Sequence, residues 1–197
     1  MLPGDVLSCW GKNSNGQLGR AVSAQIPVVD QFCVGSACGT PSTTIHARDV
    51  ALGTGHSCVV RLNGEIACSG QNNLSQLGDG LTVNRAFFAS TSGGGGTYTA
   101  ISAGSDHTCA LRADGSVWCW GANSLAQAGQ APSSVPLVVP TQVSALSSGV
   151  TDLDSGSYHT CVLKAEGTVW CWGANSQGQL GDGTTTQTHV PVRVVFP

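Results

Sequence analysis

Nine cysteines and five histidines give this 197-residue chain its widest choice of chemistry. Six of the cysteines form three pairs ten positions apart, and a histidine precedes each pair by two positions. These residues are His56, Cys58 and Cys68; His107, Cys109 and Cys119; and His159, Cys161 and Cys171. Cysteines can form disulfides, and cysteine together with histidine can bind a metal ion.

Three stretches of the chain repeat one pattern around these residues. HTCALRADGSVWCWGAN at His107–Asn123 returns as HTCVLKAEGTVWCWGAN at His159–Asn175 and, more loosely, as HSCVVRLNGEIACSGQN at His56–Asn72. The first cysteines of the three pairs are 51 and then 52 residues apart. That period is typical of a four-stranded propeller blade or a solenoid unit.

A tight turn inside each repeat determines which cysteines face one another. Glycine is the third loop residue in Leu62–Gly64, Ala113–Gly115 and Ala165–Gly167, which predicts hairpin loops with a left-handed last residue. Counting back from the loop, Cys109 faces Cys119, with Cα atoms about 4.5 Å apart and within the range of a disulfide. The same register pairs Cys58 with Cys68 and Cys161 with Cys171.

Two alternatives to disulfides stay open for these pairs. Reduced cysteines also pack in cores as small apolar groups. A metal site would need further ligands, because the pairs lie in separate repeats, no Cys-x-x-Cys motif is present, and His107 and Cys109 supply two at most. The shared register favours disulfides, each closing a loop of about eleven residues and contributing up to roughly 3 kcal/mol of stability.

The remaining cysteines are Cys9, Cys33 and Cys38. Cys33 and Cys38 are predicted to close the small loop CVGSAC. Cys9 corresponds to Cys119 and Cys171, so its mate is expected on a strand before the first residue. Cys9 is therefore predicted to be unpaired within this chain.

The correspondences divide residues 1–197 into parts of a single repeat domain. The repeat cores lie in residues 46–80, 97–130 and 149–183. Residues 1–19 are predicted to form the second half of a blade, and residues 184–197 the opening strand of a further blade. The chain is thus expected to be an incomplete part of a longer ring.

Composition agrees with short strands joined by tight turns. The chain has 27 glycines and 8 prolines, and 10% of its residues are charged. The net charge is −3 and the eight basic residues are scattered, so no surface for nucleic acid or an anionic membrane is predicted. No run approaches the roughly 20 apolar residues of a membrane span, and the first residues lack the pattern of a signal peptide.

Four related segments follow the last strand of a repeat pattern. They are NSNGQLG at Asn13–Gly19, NNLSQLGDG at Asn72–Gly80, NSLAQAG at Asn123–Gly129 and NSQGQLGDGTTT at Asn175–Thr186. A Gly-x-x-His motif accompanies them at Gly104–His107 and Gly156–His159, and loosely at Gly55–His56. Together these motifs resemble the regulator of chromosome condensation family. The resemblance implies an all-β fold, a β-propeller of seven four-stranded blades, of which this chain would hold about four.

The cysteine pairs resemble a bacterial, exported branch of that family, the alpha-tubulin suppressor-like proteins. This resemblance implies an extracellular, periplasmic or cell-surface location. Ser69 stands where the other repeats have tryptophan, and Ala128 replaces the leucine of Gln-Leu-Gly. Both departures predict weaker packing in their blades.

The recurring residues are predicted to be structural. Strand histidines are expected to hydrogen-bond neighbouring backbone, tryptophans to pack between blades, and asparagines to satisfy backbone groups in turns. These residues are His56, His107 and His159; Trp10, Trp120 and Trp172; and Asn13, Asn72, Asn123 and Asn175. Asp79 and Asp182 lie in Gly-Asp-Gly turns, where one carboxylate supplies too few oxygens for calcium. No catalytic, cofactor-binding or metal-binding residue is predicted.

Function is expected where the repeats differ, because insertions in such rings form loops on one face. The differing segments are residues 20–47, 81–98 and 130–149, and tolerated surface loops are the alternative interpretation. The first hypothesis is a non-catalytic, exported protein-interaction module that uses the loop-bearing face, with another protein as its partner and no cofactor. An incomplete ring also predicts self-association through open strand edges.

A guanine-nucleotide exchange factor for a small GTPase is the alternative, since the family's nuclear founder has that activity. The loop wedge on which the activity depends is not found in this sequence, and oxidised cysteines favour another compartment. An enzyme is not predicted, because no nucleophile lies beside a base and no paired carboxylates define a pocket. Light sensing is not predicted either, because the tryptophans lack the Gly-Trp-Arg-His context of the plant photoreceptor of this fold.

Overall fold

Short strands account for nearly all the regular structure. The computed structural model describes residues 8–31 and 46–195. The strands are β1 (Ser8–Asn13), β2 (Ser23–Gln31), β3 (Ala47–Leu52), β4 (His56–Arg61), β5 (Ile66–Gly70), β6 (Arg85–Ser90), β7 (Tyr98–Ala103), β8 (His107–Arg112), β9 (Val117–Asn123), β10 (Ser133–Gln142), β11 (Val150–Ser155), β12 (His159–Lys164), β13 (Val169–Gly173) and β14 (Thr188–Arg193). One short 3-10 helix covers Ser144–Leu146.

The strands form antiparallel sheets in chain order. Strands β3–β6, β7–β10 and β11–β14 make three four-stranded sheets, called here the first, second and third blades. Strands β1 and β2 form a two-stranded sheet, the half-blade. The chain is therefore all-β, as predicted, and its described residues form three complete blades and the second half of another.

The hairpin register follows the predicted glycine turns. Gly64, Gly115 and Gly167 have φ of 83°, 79° and 80°, a left-handed conformation that glycine adopts without steric cost. Strand β8 pairs with β9 so that Cys109 faces Cys119, and the first and third blades repeat this register. The register predicted from the turns is confirmed.

The hydrophobic cores lie between blades rather than within one. Between the second and third blades, Cys109, Cys119 and Val117 pack with Val162 and Trp172 of the next blade. The first and second blades use the equivalent positions. Each sheet alternates its side chains between two neighbours, so every blade depends on the next for its burial.

The fourth strand of each blade lies in a segment that the sequence did not assign to that blade. Three of these segments were predicted to be loops, and residues 184–197 were predicted to open a further blade. Strands β2, β6 and β10 fall within residues 20–47, 81–98 and 130–149. The prediction for residues 184–197 was wrong, because β14 pairs with β13 and completes the third blade instead of opening another. Few residues of β6, β10 and β14 are buried, so their sequences diverge and carry no repeating motif.

The strand edges of the complete blades lie at the central channel and at the rim. Pro136 and Pro191 interrupt the outer strands β10 and β14, and proline there hinders pairing with another strand. Neighbouring blades meet through their sheet faces. The predicted self-association through open strand edges stays a prediction.

Two sequence features fall outside this description. Cys33 and Cys38 lie outside the described residues, so the disulfide predicted between them stays a prediction.

Within residues 8–31 and 46–195, no helix has the length and apolar character needed to cross a membrane.

Candidate functional site

A disulfide joins the two central strands of every complete blade. Cys58–Cys68, Cys109–Cys119 and Cys161–Cys171 are bonded, each with Cα atoms 4.1 Å apart. The reduced-thiol and metal alternatives therefore do not apply to these six residues in the structure. Across the described parts of the chain, no three His, Cys, Asp or Glu side chains are grouped so that they could hold a metal ion.

The repeat histidines connect consecutive blades. His56 Nε2 of the first blade lies 3.0 Å from Thr108 Oγ1 of the second blade. The Thr108 hydroxyl donates to the Gln76 carbonyl at 2.9 Å, and the Trp120 indole N–H donates to the same carbonyl at 2.9 Å. Because the hydroxyl hydrogen is used on the carbonyl, His56 must donate from Nε2.

The second and third blades repeat this arrangement. His107 Nε2 lies 3.0 Å from Thr160 Oγ1, while Thr160 and Trp172 donate to the Gln127 carbonyl at 3.2 and 3.0 Å. The histidine partner is thus a threonine hydroxyl of the next blade, where the sequence analysis expected backbone. The threonine itself was missed, although it recurs in His-Thr-Cys and signals this role.

Burial keeps these two histidines neutral. Desolvation lowers the pKa of His56 to about 4 and that of His107 to about 3. His159 of the third blade is half-buried, and partial burial lowers its pKa less strongly, with the Asp154 carboxylate opposing the shift. The neutral rings of His56 and His107 therefore serve to join adjacent blades.

Glycine is required beneath each histidine ring. A Cβ on Gly104 would lie 2.2 Å from Cε1 of His107, and one on Gly53 would lie 2.1 Å from Cε1 of His56. Close approach of the ring to the backbone explains the Gly-x-x-His spacing. In the first repeat, Gly53 fills the motif, which corrects the looser match to Gly55 made from the sequence.

The asparagines organise the turn between the third and fourth strands. Asn72 Oδ1 accepts the Leu77 N–H at 3.0 Å, and its Nδ2 donates to the carbonyls of Leu81 and Val83 at 3.1 and 3.2 Å. Equivalent bonds at 2.9–3.1 Å link each buried asparagine side chain to the N–H five residues on. The other asparagines of this set are Asn13, Asn123 and Asn175.

The two Gly-Asp-Gly carboxylates also serve their turns. Asp79 accepts from Asn72 Nδ2 at 2.9 Å and from Arg85 Nε at 2.8 Å. Asp182 accepts the Thr184 N–H at 2.9 Å and the Asn175 amide at 3.3 Å. Their oxygens are thereby engaged with groups of this chain.

Carboxylates along the channel also join blades. The innermost strands β3, β7 and β11 line a cavity of about 450 Å³. Asp49 accepts the Ile101 N–H of the next blade at 2.8 Å, and Ser102 donates to Asp154 at 3.1 Å. These contacts hold the inner strands of adjacent blades in register.

One end of the channel carries an open surface formed by short loops. We call it the loop face and define it by residues 53–55, 104–106 and 156–158, which connect the first two strands of the three blades. Small residues of these loops surround an open depression of about 440 Å³. Leu52 lines this depression and is 67% exposed, and Tyr158, which follows the lining residue Ser157 in the chain, is 47% exposed.

Two family models of the same repeat match the second half of the chain. A family model described as Regulator of chromosome condensation (RCC1) repeat matches residues 98–127 and 150–179, and a second with the same description matches residues 114–163 and 166–197. The chain belongs to the RCC1 repeat family. The four-residue His–Thr–carbonyl–Trp contacts described above are therefore the way in which two pairs of RCC1 blades adhere in this protein.

Curated relatives extend the similarity over nearly the whole chain. The chain is 31% identical over 192 residues to "Probable E3 ubiquitin-protein ligase HERC4" of Rattus norvegicus, covering 94% of this chain and 17% of that protein. It is 30% identical over 200 residues to "Ultraviolet-B receptor UVR8" of Arabidopsis thaliana, covering 100% and 43%. It is also 31% identical over 186 residues to "Secretion-regulating guanine nucleotide exchange factor" of Bos taurus, covering 91% and 38%. The chain spans less than half the length of each of these relatives.

Solved RCC1 structures share the arrangement of the blades. Yeast RCC1 (Prp20), in a crystal structure with Kap60, superposes with a TM-score of 0.81 at 19% identity, covering 97% of this chain and 45% of that chain. Human WBSCR16 superposes with a TM-score of 0.63 at 20% identity. This chain therefore has the RCC1 β-propeller fold, as predicted, over part of a ring.

Proposed function

We propose that this RCC1 arc is a non-catalytic protein-interaction module and that its loop face binds the partner protein. The exposure of Leu52, which lines the depression at the channel mouth, carries the proposal, and Tyr158 adds a second exposed side chain on the loop of the third blade. Leu52 of the first blade and Ser157 of the third blade line the same depression, and Tyr158 follows Ser157 directly in the chain, so one partner is proposed to cover both exposed side chains. Exposed apolar groups of this kind are characteristic of protein-binding surfaces when they cluster.

Site-specific photo-crosslinking in the producing cells tests this surface. A benzophenone side chain placed at position 52 is expected to trap a protein, and the adduct is expected to disappear when Tyr158→Asp is added. Position 62 is the matched control, because Leu62 is 46% exposed but lies on the hairpin turn at the opposite end of β4. Adducts formed at position 62 and not at position 52 would assign binding to the wrong face and reject the proposal.

We also propose that the module works in an oxidising compartment, outside the cell or in the periplasm. Three blades each carry a disulfide, and structural disulfides persist in such compartments while cytosolic thiols stay reduced. Alkylation of denatured, unreduced protein from its native source, followed by mass spectrometry, should leave the six blade cysteines unmodified. Modification of all six would contradict the export of this protein.

Guanine-nucleotide exchange is the second candidate, and the similarity to the bovine exchange factor favours it. The interaction proposal predicts no acceleration of fluorescent GDP release when the purified chain is added to a panel of small GTPases. Acceleration that depends on chain concentration would support the exchange activity instead.

A further inference from the structure

The charged side chains of the three complete blades are divided between the two ends of the strands. We call the end opposite the loop face the hairpin end, because it carries the turns that connect the second and third strands of each blade. Among residues 46–195, five of the six basic side chains lie at the hairpin end, namely Arg48, Arg61, Arg112, Lys164 and Arg193. The structure therefore gathers basic residues that are scattered along the sequence.

Three carboxylates share the hairpin end with these basic groups and offset most of their charge. They lie in or beside the hairpin turns, at Glu65, Asp114 and Glu166. Arg61 Nη1, for example, lies 3.4 Å from Glu65 Oε2. Five basic and three acidic side chains give the hairpin end a formal charge of +2.

The other six carboxylates of residues 46–195 lie along the channel or on loops that leave the strands at the loop face. Those that line the channel cavity are Asp49, Asp152 and Asp154, and those on the loops are Asp79, Asp106 and Asp182. Arg85 is the remaining basic side chain of residues 46–195, and its Nε donates to Asp79 at 2.8 Å. Six acidic groups and one basic group give this side a formal charge of −5.

Leu52 connects this charge to the proposed partner site. Its exposed side chain lines the depression of the loop face and also the channel cavity, which it shares with Asp154. On the second blade, Ser105 lines the same depression, and Asp106 follows it in the chain. A partner that covers Leu52 is therefore exposed to the negative potential of these carboxylates.

We infer that the partner presents lysine or arginine side chains around an apolar side chain, with the apolar group on Leu52 and the basic groups towards Asp106 and Asp154. This inference rests on the proposed function and names the chemistry of the partner for the same face. Complementary potentials steer two proteins towards each other and orient them, whereas like charges in the same place repel. A basic partner is thus directed to the loop face and away from the hairpin end.

Photo-crosslinking at two salt concentrations tests the role of charge. The purified chain with a benzophenone side chain at position 52 is mixed with an extract of the producing cells in about 0.05 M and about 0.5 M NaCl. Salt shortens the range of interactions between exposed charges, from about 10 Å at 0.1 M to about 3 Å at 1 M. The initial rate of adduct formation should therefore fall at least about tenfold at the higher concentration. Mass spectrometry of the adduct should place the crosslink within a few residues of a lysine or arginine of the partner.

Two charge-matched double variants separate the charge of the loop face from the net charge of the chain. Asp106→Asn with Asp154→Asn removes two negative charges beside the partner site, and the amide oxygens can still accept the hydrogen bonds of the carboxylates. In the buffer of lower salt, adduct formation should fall at least about threefold. Asp114→Asn with Glu166→Gln removes two negative charges from the hairpin end and should leave the rate unchanged.

The possible results distinguish the partner chemistry from the proposed function. The absence of any adduct at position 52 would reject the loop face as the binding surface and the basic partner with it. An adduct whose rate is independent of salt, equal rates in the two double variants, or a crosslink in an acidic or uncharged segment of the partner would overturn the basic partner alone. The loop face would then remain the proposed binding surface.

Discussion

The junction between the second and third blades and the junction between the half-blade and the first blade are built differently at equivalent positions. At the former, the Trp172 indole donates to the Gln127 carbonyl at 3.0 Å and is fully buried. At the latter, Ser69 takes the tryptophan position, and its hydroxyl lies 3.4 Å from the Gln17 carbonyl. The polar contact is retained while the large apolar contact is lost.

The hydrophobic cluster between the half-blade and the first blade is built from other side chains. Cys9, Leu18 and Ala67 pack there with Phe88 of the outer strand β6, which supplies the aromatic side chain of this cluster. Two blades can therefore adhere around a common hydrogen-bond acceptor with different apolar groups. The comparison indicates that the carbonyl of the Gln-x-Gly turn is the fixed element of the junction and that the packing around it adapts.

The largest expected effect comes from replacing Trp172, in the junction between the second and third blades, by the serine that occupies the equivalent position at Ser69. Trp172→Ser removes a fully buried indole and should lower the free energy of unfolding by about 3–5 kcal/mol, because it leaves a cavity in the cluster between the second and third blades. Urea denaturation followed by circular dichroism measures the loss. Ser69→Ala should cost well under that amount, and equal losses for the two variants would refute the contrast.

The disulfides provide the next comparison. Replacing Cys109 and Cys119 by alanine should cost about 3 kcal/mol of stability through loop entropy. The Cys161 and Cys171 pair closes a loop of the same length, with a sequence separation of 10 in both cases. If removal of the second-blade disulfide lowers the free energy of unfolding more than removal of the third-blade disulfide, the difference measures how much the second-blade disulfide gains from packing against Trp172. Identical losses would show that this packing contributes nothing.

Removing the bridging hydroxyl should have a smaller effect. Thr160→Val keeps the shape of the side chain but leaves the His107 Nε2–H buried without an acceptor, which should cost about 1–3 kcal/mol in urea denaturation. Thr151→Val is the matched control, since Thr151 is exposed on β11 of the same blade. The control should change stability by less than about 0.5 kcal/mol.

The complete junctions should also make stability depend on pH. The pKa of a histidine is about 6.5 in an unfolded chain, whereas burial lowers it to about 4 for His56 and about 3 for His107. Unfolding therefore takes up protons below about pH 6.5, so the stability is fully present above that pH and falls with decreasing pH. Each histidine should contribute a slope of up to about 1.4 kcal/mol per pH unit until its folded pKa is reached.

The variant His107→Gln isolates this contribution. It should reduce the slope between about pH 6 and pH 4, as measured by urea denaturation at each pH. His159→Gln is the comparison, because His159 is half-buried and its pKa is lowered less strongly. An unchanged slope in His107→Gln would show that His107 is not the group whose uptake of protons opposes folding.

Much of the fold could be predicted from the recurring motifs, because the contacts that each motif makes lie within a few residues of the motif itself. The glycine at the end of each hairpin loop determined the register, and the register determined that Cys109 faces Cys119. The sequence positions of the fourth strands were not predicted, because rim strands such as β10 bury few side chains and their sequences are free to diverge. The same freedom led residues 184–197 to be assigned to a further blade.

The candidate site was predicted less completely than the fold. The sequence indicated that His107 and Asn123 were structural residues and that function belonged to the segments where the repeats differ. It did not indicate that Leu52 of the first blade and Ser157 of the third blade line one depression at the channel mouth. Proximity across blades depends on how the sheets are stacked, and no local pattern records it.

The sequence by itself determined the contacts that form within one repeat: the hairpin turns, the cysteine pairing and the asparagine-centred turns. These depend on backbone geometry over a few residues, which residue types specify directly. The tertiary structure alone decided the contacts that form between repeats. His107 meets Thr160 from 53 positions away, because two sheets stack face to face and bring equivalent strands side by side. That partner is set by the stacking of blades, and a single repeat contains only one half of the bond.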